Sequence, residues 1–153
     1  MAKRTDTVSA EVRSATMRAV KSQGVKSTER KLRAAMASKR LKGWRMYANE
    51  LPGKPDFVFL RERLAIFVDG CFWHGCPRCY RRPHSNQEYW DAKVIYNIER
   101  DRRNRARLRR AGWHVLRIWE HEVTQDLGRV CGKVSSKLNG FRRPELTYSD
   151  LHN

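Results

Sequence analysis

Leu51-Pro52-Gly53-Lys54-Pro55-Asp56-Phe57-Val58-Phe59-Leu60-Arg61-Glu62-Arg63-Leu64-Ala65-Ile66-Phe67-Val68-Asp69 is the stretch that decides the fold. Two prolines and a glycine make the approach turn-rich and non-helical. Residues 56–60 then read as a strand, and the charged residues 61–63 as a hairpin turn. Residues 64–68 form a continuous apolar run, as expected of a central strand covered on both faces. An aspartate opens the first strand and another closes the second.

Upstream, residues 44–47 are short and aromatic, a further strand. Before them, residues 9–20 and 28–40 read as two helices, separated by Gly24 and ended by Gly43, with Ser27 or Thr28 as cap of the second. Downstream, residues 70–87 are too rich in Cys, Gly, Pro and Arg for regular structure. Residues 86–110 then read as a long helix, with Tyr89, Trp90, Val94, Ile98 and Leu108 as its apolar positions and Gly112 as its end. Residues 113–119 alternate as a fourth strand, and a last helix is expected over 124–138. The order predicts one α/β domain over residues 1–153. It has a small mixed sheet flanked by helices, a core over 9–138, an ordered loop over 70–85 and flexible termini.

The chain has 153 residues, with 33 Lys plus Arg against 16 Asp plus Glu, a formal charge of +17. Fifteen Trp, Tyr and Phe residues argue against a disordered chain. No run approaches the length of a membrane span, and Met1-Ala2-Lys3-Arg4-Thr5-Asp6 lacks the apolar stretch of a secretory signal. The expected location is the cytoplasm, at chromosomal or phage DNA. The charge points to a polyanion. Arg outnumbers Lys 23 to 10, which suits bidentate contacts to phosphate and guanine. A membrane surface fits less well, because no basic helix carries a clean apolar face.

Three of the four cysteines, Cys71, Cys76 and Cys79, fall within nine residues. Without a secretory signal, such clustering favours a metal over disulfides. Zinc takes four ligands tetrahedrally, so a fourth is needed from His121, His74, His84 or Cys131. His121 is favoured, at the end of a strand able to run beside the one that delivers Cys71. A zinc with all positions filled by protein is structural.

Asp56 and Asp69 can meet at one sheet edge, where a carboxylate suits Mg²⁺. His74, five residues beyond Asp69, can deprotonate a water. Glu29, on the second helix, can hold the metal's water shell.

Residues 51–59, followed by Phe67-Val68-Asp69-Gly70-Cys71-Phe72-Trp73-His74-Gly75-Cys76-Pro77, resemble the very-short-patch repair (Vsr) DNA mismatch endonucleases. Asn97-Ile98-Glu99-Arg100-Asp101-Arg102-Arg103 and Gly112-Trp113-His114-Val115-Leu116-Arg117-Ile118-Trp119-Glu120 continue the match in order, and Met17-Arg18-Ala19-Val20 and Thr28-Glu29 also fit. The resemblance covers roughly residues 13–123. It implies a restriction-endonuclease-like core, a structural zinc, and Mg²⁺-dependent nicking of one strand beside a T:G mismatch. It implies Asp56 as the metal-binding aspartate, His74 as the residue acting on water, Glu29 near the metal waters, and the Val68 carbonyl as a second contact to Mg²⁺. Cys71, Cys76, Cys79 and His121 occupy the zinc-ligand region. Phe72 and Trp73, with Trp90 alongside, match aromatics that wedge into the base stack. Met17 matches a residue entering from the other groove, and Lys93 and Asn97 match base-reading residues. Some members carry His where this chain has Asp69, so Asp69 is either a second carboxylate at the metal or a substitute hydrogen-bond partner.

The expected function is therefore T:G-directed nicking of double-stranded DNA by a monomer, in functional pairing with a cytosine-5 methyltransferase whose sites deaminate to T:G. Two alternatives share the residues: a restriction-type endonuclease or nickase acting on unmismatched DNA, and a zinc-ordered DNA-binding module without catalysis.

Overall fold

The computed structural model of the chain describes residues 9–141. The expected flexible termini lie outside them. The chain runs through α1 (Ala10–Ser38), β1 (Trp44–Met46), β2 (Phe57–Phe59), β3 (Leu64–Asp69), α2 (Gln87–Arg110), β4 (His114–Trp119), α3 (Glu120–Gln125) and α4 (Leu127–Phe141).

The four strands pair in sequence order. β1, β2 and β3 form an antiparallel meander, and β4 returns parallel to β3, with Asp69 opposite Trp119. The sheet is thus mixed, as expected. Alternation sorts its side chains onto two faces. Phe57, Phe59, Leu64, Ile66, Val68 and Ile118 pack against Leu32 and Met36 of α1, Val123 of α3, and Val130, Val134 and Leu138 of α4. Fully burying each of Phe57, Phe59 and Ile66 contributes roughly 1.5–3 kcal/mol. On the other face, Val58 and Ala65 pack with Leu108 of α2. The result is a sheet between two helical layers, and α2 stands on the face toward which Asp69 and Arg117 project.

Two helix boundaries differ from expectation. A single α1 runs through Gly24, with Ser27 and Thr28 inside it rather than capping a second helix. A helical glycine costs only about 1 kcal/mol relative to Ala, which the surrounding helix-forming sequence absorbs; Ser9 is the cap, accepting from the Val12 amide at 3.3 Å. The last helix is in fact two. Asp126 stops α3 and caps α4, its carboxylate accepting from the Arg129 amide at 2.8 Å.

Because β3 and β4 are parallel, both strands end at the same edge. The chain leaving β3 enters the cysteine loop there, and the chain leaving β4 turns at once into α3. Among the described residues no helix is long and apolar enough to cross a membrane.

Candidate active site and metal centre

Asp56, Asp69 and His74 line one cavity of about 170 Å³, together with Asp101 and Arg105 from α2. Asp56 is held by its place at the head of β2. Its amide donates to the Ile66 carbonyl at 3.0 Å, and its Oδ2 accepts from the Val68 amide at 2.7 Å. The carboxylate thus sits against Val68 rather than against Asp69. Glu29 reaches it from α1. It is buried, lies close enough to Asp56 to raise its pKa, and its Oε2 accepts from the Tyr47 hydroxyl at 3.1 Å. Burial pushes Asp56 up to about 7 against the Val68 hydrogen bond, with the nearby carboxylates of Glu29 and Asp69 adding to the rise. Asp56 and Glu29, crowded this way, suit a divalent metal with oxygen ligands.

His74 is placed by two carboxylates. Its Nδ1 lies 2.5 Å from Asp101 Oδ2 and 3.7 Å from Asp69 Oδ1. A proton on Nδ1 given to Asp101 leaves Nε2 as the basic nitrogen. Burial opposes ionisation of Asp101, but the hydrogen bonds from His74 and Arg100 hold its carboxyl below the usual range. Asp101 was not among the site residues expected from the sequence. Asp69 is buried, ion-paired to Arg117 and 3.7 Å from His74 Nδ1, and it lines the same cavity as Asp56. The atoms of Asp69, His74 and Asp101 are close enough to hold a metal. However, Arg117 and Arg100 already neutralise the two carboxylates, which fits an oriented base better.

The second centre gathers Cys71, Cys76, Cys79 and His121, whose ligand atoms all lie within 4.8 Å of one another. His121 Nδ1 is 3.2 Å from Cys71 Sγ and 3.6 Å from Cys76 Sγ. It comes from the first turn of α3, just past the strand end where it was expected. The other candidates go elsewhere. His74 belongs to the base pair just described, His84 is exposed, and Cys131 is core. Three sulfurs and one imidazole are the donor set of a tetrahedral zinc site. Without a cation, burial pushes the Cys71 thiol up to about 12, so the cluster calls for a positive charge.

Phe72 and Trp73 pack edge-to-face at 5.3 Å, and Trp90, from the first turn of α2, closes on both at 5.3 and 5.9 Å. All three are partly buried, between the core and solvent alternatives. Gly75 lets this loop lie against α2: its φ is +59°, and a Cβ there would meet Ile98 Cδ1 at 2.7 Å. Lys93 is exposed on α2. Asn97 is not. It is buried, and its amide donates to the Trp73 carbonyl at 2.9 Å, so it braces the aromatic loop instead of presenting itself to bases. The Met17 side chain lies outside the described residues.

The DNA mismatch endonuclease Vsr family matches residues 5–81. The chain is 40% identical over 110 residues to DNA mismatch endonuclease Vsr of Escherichia coli, covering 71% of this chain and 69% of that protein. The chain belongs to the Vsr family of DNA endonucleases. It is also 37% identical over 137 residues to the type II nicking enzyme V.XorIIP of Xanthomonas oryzae, covering 88% of this chain and 98% of that protein. A shorter match, 53% identical over 73 residues, relates it to the type II nicking enzyme V.NaeI of Lentzea aerocolonigenes and spans 48% of this chain and 44% of that one.

Proposed function

We propose that the chain nicks one strand of duplex DNA beside a T:G mismatch, with Mg²⁺ as catalytic cofactor and zinc as structural cofactor. The observation that carries this reading is the convergence of Asp56 on one cavity with the His74–Asp101 pair, with Glu29 close behind Asp56. Asp56, the Val68 carbonyl and the waters held by Glu29 are the Mg²⁺ site. When bound, Mg²⁺ supplies Lewis acidity at the scissile phosphate. His74 takes a proton from the attacking water at Nε2, and Asp101 steadies the imidazolium that results. Oxygen from that water bonds to phosphorus as the P–O3′ bond breaks, leaving a 3′-hydroxyl and a 5′-phosphate.

Cys71, Cys76, Cys79 and His121 hold the zinc, which ties the loop carrying His74, Phe72 and Trp73 to α3. Phe72 and Trp73, with Trp90, wedge into the base stack, where a mismatched step unstacks at less than the few kcal/mol of a paired one. Lys93 faces the bases, and Met17 enters from the opposite groove. The protein acts as a monomer in the cytoplasm, on T:G pairs left when methylated cytosines deaminate, in functional pairing with a cytosine-5 methyltransferase.

The names of V.XorIIP and V.NaeI speak of nicking alone, which leaves room for a second reading, nicking of unmismatched DNA. One assay separates the two. End-labelled duplexes with T:G in varied contexts, and matched controls, are incubated with Mg²⁺ and either wild type or Asp56→Ala. Mismatch-dependent nicking lost in Asp56→Ala is expected. Equal cleavage of matched duplexes would replace this reading with the second, and binding without cleavage would leave only a DNA-binding module.

A further inference from the structure

Two cations that the chemistry above leaves unused line the catalytic cavity, Lys54, which is exposed, and Arg105, whose partial burial makes an unpaired guanidinium the more costly of the two. Arg105 lies one turn beyond Asp101 on α2, lines the cavity beside Asp56 and His74, and is partly buried. Its two arginine neighbours are engaged. Arg100 donates twice to Asp101, at 3.2 and 2.9 Å. Arg117 pairs with Asp69 and stacks over Trp119 at 3.9 Å. Among the described residues Arg105 makes no hydrogen bond or ion pair. The carboxylates nearest it, Asp69 and Asp101, already have partners.

A guanidinium stays charged and presents a planar fork of N–H donors. Withdrawing those donors from water without an acceptor is costly, so Arg105 stands ready for an anion. Asp56 lines the same cavity, and a cation not already tied to a carboxylate offsets its repulsion of an approaching phosphate.

We propose that Arg105 is a phosphodiester-binding residue, holding a non-bridging oxygen of the DNA backbone at or next to the scissile phosphate. The assignment rests on the DNA-nicking reading and adds to it the group that draws the phosphate into an acidic cavity. A bidentate guanidinium fixes orientation as well as charge, so Lys at this position replaces only part of the effect.

The test is a coupling cycle. Binding of wild type, Arg105→Gln and Arg105→Lys is measured in Mg²⁺-free buffer, which keeps the duplex intact. The probes are a T:G duplex and copies carrying one uncharged methylphosphonate at each phosphate around the nick. Arg105→Gln is expected to weaken binding to the all-phosphodiester duplex by about tenfold and to flatten the salt slope by about 0.9. That loss should shrink below about twofold when the methylphosphonate occupies one position at or beside the nick. Arg105→Lys should keep the salt slope and recover part of the affinity. An equal loss on every duplex, or no loss, overturns the assignment. If Arg105→Gln fails to fold, the same cycle with Arg105→Lys reads the same coupling. Wild-type protein that leaves every duplex intact in Mg²⁺ overturns the nicking reading and the assignment with it. Wild-type nicking without coupling overturns the assignment alone.

Discussion

Asp101 Oδ2 stands 2.5 Å from His74 Nδ1, one residue on α2 and the other in the cysteine loop. The contact selects the ring tautomer. Asp101→Asn keeps the shape but can offer its NH₂ to Nδ1, which moves the proton to Nε2 and removes the base. Single-turnover nicking is expected to fall by roughly 10²-fold or more, with DNA affinity unchanged within about twofold. Equal losses in binding and rate would mean that Asp101 only supports the loop.

The acid–base behaviour of Asp56 leads to a pH prediction of definite sign. In the folded chain it titrates near 7, against an ordinary 3.8. The folded state therefore binds the extra proton between those values. The stability linked to this group is complete below the lower value and is lost as pH rises through the upper one. In Mg²⁺-free, zinc-replete buffer, the thermal midpoint of wild type should fall between about pH 4 and about pH 7. Asp56→Asn should flatten that fall. Nicking should rise through a midpoint near 7, and added Mg²⁺ should move the midpoint lower by competing with the proton. A midpoint indifferent to Mg²⁺ would detach Asp56 from the metal.

Tyr47 is half exposed, takes a left-handed φ of +57° and holds Glu29 through its hydroxyl. Tyr47→Phe keeps the ring and removes the hydrogen bond. It should cost about 0.5–1.5 kcal/mol in unfolding free energy and raise the Mg²⁺ concentration for half-maximal nicking several-fold, leaving the rate at saturating Mg²⁺ within about twofold. An unchanged Mg²⁺ dependence would show that Glu29 needs no such support.

Removing the zinc should release the loop it ties down. Cys79→Ala and His121→Ala should lower zinc content, measured by metal analysis, and expose residues 70–85 to limited proteolysis, with nicking lost. Cys131→Ala, away from the cluster, should keep its zinc. Full nicking by zinc-free protein would separate the two centres.

Much of the site is legible in the sequence because its residues sit where local pattern changes. Asp56 follows a proline, Asp69 ends an apolar run, and the cysteines crowd an irregular loop. The strands were readable for the same reason: 64–68 is apolar on both faces because helices cover both. Asp101 was not readable this way, since Glu99-Arg100-Asp101-Arg102-Arg103 looks like a solvated charge run. A signal was present in the helical repeat. Val94, Asp101 and Leu108 are seven apart and share one stripe, with Asn97 beside it, so the aspartate falls on the sheet-facing side. The two helix boundaries that differed depend on context that a single glycine or aspartate does not reveal: Gly24 is carried by its neighbours, and Asp126 caps one helix while stopping another.

The parallel pairing of β3 with β4 also has a consequence for the order in which the protein becomes active. Asp56 and His74 are made early, but Asp101 follows 27 residues after His74, and His121 follows Cys71 by 50. A ribosome-bound chain that has emerged only as far as α2 carries the hydrolytic groups without β4 or the last metal ligand. If the proposed groups act as above, nicking competence waits for the translation and docking of β4 and α3.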